Sequence, residues 1–356
     1  MSSPAARRAQ LEALVEAQSA TRANPPLLLP ADPYFDLAGE EFGRRLMLTT
    51  ATTGQEYCLR PEYTLPIVTD YIANGVGQPA AFSYFGPIFR QRQDGPAEFE
   101  QAGLELLAQP DGDIALHQVL TFARAALDLY AVSAPAIRLG GVGLFETLLA
   151  QLDMPDPWRP RIRQRFGHTE ALERLLTRLA VAPTLERSPQ PAREALLTEI
   201  TEQMVDAGLS LSEGRTPDEI ASRYLEQQAL DAELVPAATL ALLRDYLAIS
   251  GPALQALTRI EQLALRHGLD LAAPLRALRR HLDELGTVAD VSFDGSFSPR
   301  LDYYTGVVFE VVGQDGQALV SGGQYDRLLE RLGAAAPIAA SGCAVWVDRL
   351  EAECVR

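Results

Sequence analysis

Strand-like runs crowd the two ends of this chain and are nearly missing from its middle. Residues 45–50, 55–59, 81–90, 98–107 and 136–140 alternate or are rich in aromatic and β-branched residues, and the pattern returns at 288–294, 307–312, 319–326 and 341–345. Between about 155 and 281 the sequence is rich in Ala, Leu, Arg and Glu at helical spacing, with stops at Pro183, Pro189, Pro191, Gly208, Gly251 and Gly268. One sheet must therefore be built from both ends of the chain, with a helical segment interrupting it. Successive strands follow one another as hairpins more than as strand–helix–strand units. The expected class is α+β: an antiparallel sheet flanked by helices. The expected division is 1–154 and 286–356 for the two parts of the sheet core, and 155–285 for a helical insertion.

Helices are predicted at about 4–21, from Leu65 to Asn74 with Gly75 as its stop, from Asp113 to Tyr130 behind an Asp111 cap, at 144–152, and after the strand at 341–345. Residues 27–29 read as a short extended segment and 32–36 as a turn or loop.

Three places present polar groups where a core would be apolar. The stretch 298–310, Ser-Pro-Arg-Leu-Asp-Tyr-Tyr-Thr-Gly-Val-Val-Phe-Glu, puts Asp302, Tyr303, Tyr304 and Gly306 before a strand. A hairpin leads from it to Ser321-Gly-Gly-Gln-Tyr-Asp326. Glycines admit a ligand to the backbone, and tyrosines give flat walls with polar tips. A surface hairpin with ordinary turn residues would carry the same pattern. Glu62 and Thr64 stand at a strand–helix junction, and a capped helix start is the plain alternative. Phe99, Gln101, Gly103 and Glu105 share one strand face by the period of two. That polar row faces either a ligand or solvent.

Composition excludes several classes. Hydrophobic residues make up 47% of the 356-residue chain, enough for a proper core. No apolar run reaches about 18 residues, so no membrane span is expected, and the first residues lack the apolar stretch of a secretory signal. Three scattered cysteines (Cys58, Cys343, Cys354) fit free thiols in a reducing cytoplasm. The net charge of −16 argues against a broad nucleic-acid surface. The four histidines show no ligand spacing, so no metal is expected. Gly141-Val-Gly143 reads as strand–helix packing in preference to a phosphate loop.

Taken together, the polar segments resemble the catalytic core of class II aminoacyl-tRNA synthetases, and histidyl-tRNA synthetase in particular. Residues 298–310 resemble its Arg-Gly-Leu-Asp-Tyr-Tyr and Thr-Val-Phe-Glu signature, and Ser321–Asp326 its second signature. Leu59-Arg-Pro-Glu-Tyr-Thr64 is similar to its Leu-Arg-Pro-Glu-Gly-Thr. Phe89-Arg90 through Glu105 resembles motif 2, Gly342 through Arg349 motif 3, and Pro25-Pro26 the motif 1 proline near a dimer interface. The resemblance spans essentially the whole chain. It implies that Glu62, Thr64, Gln101, Glu105, Tyr303 and Tyr304 hold the amino acid histidine, with Arg90 supplying a cation for its carboxylate. The chemistry agrees: ammonium and imidazole N–H groups need acceptors, and the carboxylate needs a cation.

The departures bear on activity. Pro299 stands where the synthetase signature has Arg, and Arg300 one place later is expected on the other strand face. Arg92 replaces the motif 2 Glu, and Gln324 replaces the Arg of the second signature. Trp346 replaces the motif 3 Gly that leaves room for adenosine, while Arg349 is kept. The chain stops after motif 3, which leaves no anticodon-binding domain of roughly one hundred residues. This pattern resembles the regulatory subunits of the short-form ATP phosphoribosyltransferase, a paralogous family. That resemblance implies a cytoplasmic protein with no catalytic residues and no cofactor. It implies a dimer that joins the short catalytic subunit in a hetero-oligomer, activates it, and passes on feedback inhibition by L-histidine, with no role for tRNA. A ligase that activates histidine without tRNA recognition is the alternative, kept open by Arg90 and Arg349. An interaction module with a vestigial pocket is a second.

Overall fold

A computed structural model describes residues 3–37, 40–75, 77–92, 95–132, 135–180, 193–207, 216–231, 234–285, 290–299 and 303–354. Arg300 and Asp302, and the helix stops at Pro183, Pro189, Pro191 and Gly208, lie outside the described residues. By contacts the chain divides into two units. One comprises 1–151, 166–168 and 245–356, the other 152–165 and 169–244.

The first unit is built on a sheet of β1 (Thr21–Arg22), β5 (Ala80–Phe89), β6 (Glu98–Leu107), β7 (Ala136–Gly141), β8 (Ser250–Pro252), β9 (Asp290–Asp294), β10 (Val307–Val312), β11 (Ala318–Gln324) and β12 (Ala340–Trp346), in the order β1-β5-β6-β12-β11-β10-β7-β9-β8. A small sheet of β2 (Leu28–Pro30), β3 (Leu48–Thr50) and β4 (Glu56–Leu59) lies in the order β2-β4-β3. The run β5-β6-β12-β11-β10-β7 is antiparallel throughout, as expected. The flanks differ, because β1 pairs with β5 and β7 with β9 in parallel. Each of those pairs is joined by a long connection, which parallel pairing requires.

The helices of this unit include α1 (Pro4–Glu16), α2 (Asp32–Leu37), α4 (Thr64–Gly75) after the four-residue α3 (Glu40–Gly43), α5 (Gly112–Leu129) and α6 (Val142–Gln151). The Asp111 carboxylate caps α5, accepting the N–H groups of Asp113 at 2.9 Å and Ile114 at 3.1 Å. Leu116, Val119, Leu120, Ala123 and Leu127 form the buried stripe of α5, which packs on β11 and β12. The segment read as a loop at 32–36 is a short helix instead. Pro33 is tolerated in a first turn, and Tyr34 stacks on Phe42 at 6.3 Å.

After α7 (Trp158–Arg163), α8 (Thr169–Ala180), α9 (Arg193–Asp206), α10 (Pro217–Asp231) and α11 (Ala237–Leu247), the helical composition predicts no strand. Yet Ser250, Gly251 and Pro252 pair with β9. Gly251 supplies the positive φ of 127°, and the proline is accepted because this is the sheet edge. This pairing ties α12 (Ala253–His267) and α13 (Ala272–Leu285) to the sheet unit, and α12 packs on β8 and β9. The stop at Gly268 is a left-handed C-cap with φ of 66°. The second unit is helical. Trp158, Ile162, Leu172, Leu176 and Leu243 are buried there, and Arg244 pairs with Glu173 at 3.2 Å. The terminal helices are α14 (Leu328–Arg331) and α15 (Val347–Cys354).

Candidate functional site

Glu62, Thr64, Arg90, Gln101, Glu105, Tyr303 and Tyr304 all line one cavity in the sheet unit. Its space for the centres of water-sized molecules is about 40 Å³. Tyr63, Tyr84, Ser321, Tyr325, Gly342 and Trp346 complete much of the wall.

Sheet register brings these residues together. Glu105 stands opposite Phe82 on one side and Gly342 on the other, Gly103 opposite Tyr84 and Ala344, and Gln101 opposite Gly86 and Trp346. The glycines matter because side chains pass over them. A Cβ on Gly342 would lie 1.6 Å from Glu105 Oε2, and one on Gly103 would lie 2.2 Å from the Tyr84 hydroxyl and 2.4 Å from the Cys343 carbonyl. The polar row does not face solvent: Gln101 is 2% exposed and Glu105 1%.

At the strand–helix junction, Glu62 is both buried and committed. Its carboxylate accepts the backbone N–H of Thr64 at 2.5 Å and of Leu65 at 3.0 Å, which satisfies two open donors at the start of α4. Burial pushes Glu62 up to about 7, against the pull of those N–H groups and of Arg90. Glu105 accepts from the Thr64 hydroxyl at 2.7 Å and from the Tyr325 hydroxyl. Burial, aided by Glu62, pushes it up to about 8 against those hydrogen bonds. The Arg90 guanidinium is brought down to about 10 by burial, with Glu62 opposing and Arg92, Arg349 and Arg45 adding to the fall. It lies 5.4 Å from the Phe42 ring centre and 5.3 Å from that of Phe99.

Three tyrosines form the opposite wall. The rings of Tyr303 and Tyr304 are 5.0 Å apart, and Tyr325 meets both edge-on at 5.7 and 6.5 Å. Burial raises all three hydroxyls above the ordinary phenol range. Tyr84, stacked on Tyr63 at 4.2 Å, donates to the Cys343 carbonyl at 3.2 Å. Sequence reasoning does not assign Tyr84 and Tyr325 to the site. Tyr325 lies inside the second Gly-rich segment, and that position is its signal. Tyr84 has none beyond the strand alternation.

The segments that depart from the synthetase pattern are occupied by their own side chains. Arg92 pairs with Asp348 at 2.5 Å and lies 3.1 Å from the Phe99 ring centre. Arg349 donates to the Ala318 carbonyl at 2.6 Å and lies 4.9 Å from the Trp346 ring centre. The Gln324 amide oxygen accepts from Val307 N–H at 3.0 Å. Trp346 packs against the cluster formed by Tyr63, Ile67, Tyr84, Ile88 and Phe99. Among the described residues no cluster of His, Cys, Asp and Glu is arranged to hold a metal ion, and no helix is long and apolar enough to cross a membrane.

A protein-family model described as Histidyl-tRNA synthetase matches residues 5–350. The chain is 39% identical over 361 residues to the ATP phosphoribosyltransferase regulatory subunit of Mesorhizobium japonicum, covering 97% of this chain and 96% of the relative. It is 38% identical to that of Brucella ovis, with 95% and 94% covered. Among solved structures, a Bacillus halodurans protein described as an ATP phosphoribosyltransferase regulatory subunit/histidyl-tRNA synthetase superposes with a TM-score of 0.68 at 20% identity, covering 98% of this chain and 78% of that one. A Histidine--tRNA ligase subunit from Alicyclobacillus acidocaldarius superposes with a TM-score of 0.59 at 22% identity, with 99% and 92% covered. These two likenesses are likenesses of fold, and the sequence relatives carry the closer kinship. The chain belongs to the histidyl-tRNA synthetase family, within its branch of ATP phosphoribosyltransferase regulatory subunits.

Proposed function

We propose that this chain is a non-catalytic regulatory subunit of ATP phosphoribosyltransferase, which activates a separate short catalytic subunit in the cytoplasm and senses L-histidine for feedback inhibition. The observation that carries the sensing role is the enclosed pair of carboxylates, Glu62 and Glu105, facing Arg90 and a tyrosine wall in one cavity. The histidine ammonium and imidazole N–H groups would be held by Glu62, Glu105 and Gln101, its carboxylate by Arg90, and its ring by Tyr303 and Tyr304. Thr64 holds Glu105 in place.

The reading as a sensor, and not a ligase, draws on the other half of the site. Arg92 stacks on Phe99 and is tied to Asp348, Arg349 donates to a backbone carbonyl, and an indole stands at Trp346. A nucleotide would have to displace all of these. Histidine would act by binding one state of the assembly better than another, since equal affinity for both shifts nothing. The chain would act as a dimer within a hetero-oligomer with the catalytic subunit.

Calorimetric titration of the purified chain with L-histidine, repeated with ATP, tests the site. Histidine heat without ATP heat is expected. Coupled binding of both, with histidine-dependent pyrophosphate exchange, would establish a ligase in its place. Adding the chain to the short catalytic subunit should raise phosphoribosyl transfer, and L-histidine should then lower it.

A further inference from the structure

Gln101 and Trp346 are direct partners across the β6–β12 pair, and both line the cavity. Each carries a polar atom shielded from solvent with no hydrogen-bond partner among the described residues: the Gln101 amide oxygen and the Trp346 indole nitrogen. Buried polar atoms are almost always satisfied, so a pair of orphans in a cavity wall points to what the cavity receives.

Indole N–H is a donor only and needs an acceptor. The nearby carboxylates are already engaged, Glu62 with the Thr64 and Leu65 N–H groups and Glu105 with the Thr64 and Tyr325 hydroxyls. The indole also packs against the cluster that holds Tyr63, Tyr84 and Phe99, with the Arg349 guanidinium 4.9 Å from its centre. Neither carboxylate accepts from the indole, which leaves that role to the ligand. Gln101 in turn needs a donor. An α-amino acid carries both, an ammonium and a carboxylate on the same carbon.

We propose that Trp346 reads the amino-acid end of the bound ligand beside Gln101, its indole N–H donating to the ligand carboxylate. This rests on the histidine-sensing reading of the cavity. It makes Trp346 a specificity-determining residue, selecting a free carboxylate, as well as a filler of space. Arg90 supplies charge to the same group, while the indole supplies direction.

The test is calorimetry on Trp346→Phe, which keeps an aromatic ring and removes the N–H, with L-histidine and with L-histidinol, which lacks the carboxylate. Loss of a hydrogen bond to a charged group weakens binding roughly 10-fold or more. That loss is expected for L-histidine, with a change of less than about threefold for L-histidinol. Equal weakening of both ligands, or of neither, overturns the proposal while leaving histidine sensing intact. If the unaltered chain binds no L-histidine, both readings fall together. A second measurement needs no stable variant at Trp346. The chain has two tryptophans, so its indole N–H region in a nitrogen–proton correlation spectrum holds two signals, and Trp158→Phe identifies which is which. The Trp346 signal should move downfield with L-histidine and much less with L-histidinol. A signal that stays in place at saturating L-histidine overturns the assignment.

Discussion

The Thr64 hydroxyl donates to Glu105 at 2.7 Å, while the backbone N–H of the same threonine donates to Glu62 at 2.5 Å. One residue at the first position of α4 thus links two buried carboxylates that come from different parts of the sheet unit. Helix start and candidate site are the same piece of structure.

Thr64→Val keeps the shape and removes the hydroxyl. Glu105 would then lose one of its donors while keeping the Tyr325 hydroxyl. A buried acceptor that loses a donor costs about 1–3 kcal/mol. Urea unfolding should show a loss in that range with an unchanged slope, and histidine affinity should fall with it.

The carboxylates also set a pH dependence. Glu62 at about 7 and Glu105 at about 8 stand above the ordinary value of 4.5, so the folded state holds protons that the unfolded chain has released. Stability from these groups is greatest near the ordinary value and is lost as pH rises through about 7 to 8. The chain's net charge of −16 works in the same direction. The melting temperature should therefore decline between about pH 5 and 9, and Glu105→Gln should decline less steeply. Equal slopes would show that Glu105 is ionised throughout.

Binding of a cation beside these groups should expel their protons. At pH 7 the apparent heat of L-histidine binding should depend on the ionisation heat of the buffer, with net proton release. Glu105→Gln should reduce that dependence. Buffer-independent heats would mean that the carboxylates do not meet the ligand's ammonium or imidazole.

Gly342→Ala would put a Cβ within 1.6 Å of the Glu105 carboxylate. The carboxylate must leave its place, at a cost of about 1–3 kcal/mol for overpacking. Histidine should no longer be bound, while far-ultraviolet dichroism stays that of the unaltered chain. Normal histidine affinity in this variant would remove Glu105 from the site.

Tyr304→Ala opens the tyrosine wall without touching the helix start. It should weaken histidine inhibition of the assembled enzyme roughly 10-fold, in line with a lost aromatic contact and its burial, and leave assembly intact on size-exclusion chromatography. Glu62→Ala should weaken inhibition too, and it should also lower the melting temperature because it uncaps α4. Loss of assembly with normal histidine binding would sink the site assignment.

Much of the architecture is legible in the residues themselves. The period of two places Gln101, Gly103 and Glu105 on one face, and that face is buried. Hairpins from both ends of the chain imply a shared sheet, which is present. What escapes the sequence has physical causes. The parallel pairings of β1 and β9 depend on long connections, which local patterns do not encode. The strand at Ser250 hides in helical composition, because a Gly–Pro edge strand has no alternating run. Tyr84 and Tyr325 join the site through register across strands far apart in sequence. Trp346 is readable as a bulky residue in a place built for a small one, but the orphaned state of its N–H is a property of packing.

The placement of β12 between β6 and β11 has a consequence for how the chain is made. The β5–β6 hairpin is complete long before residues 340–346 emerge from the ribosome, and the β10–β11 hairpin shortly before them; until then each presents an unpaired edge at what will become the centre of the sheet. Such edges pair with other chains when left open. The strand that closes them also carries Gly342 and Trp346, so the nascent protein cannot complete the candidate site before its sheet is sealed. A messenger broken before that point would yield a sticky fragment that lacks two residues of the cavity wall.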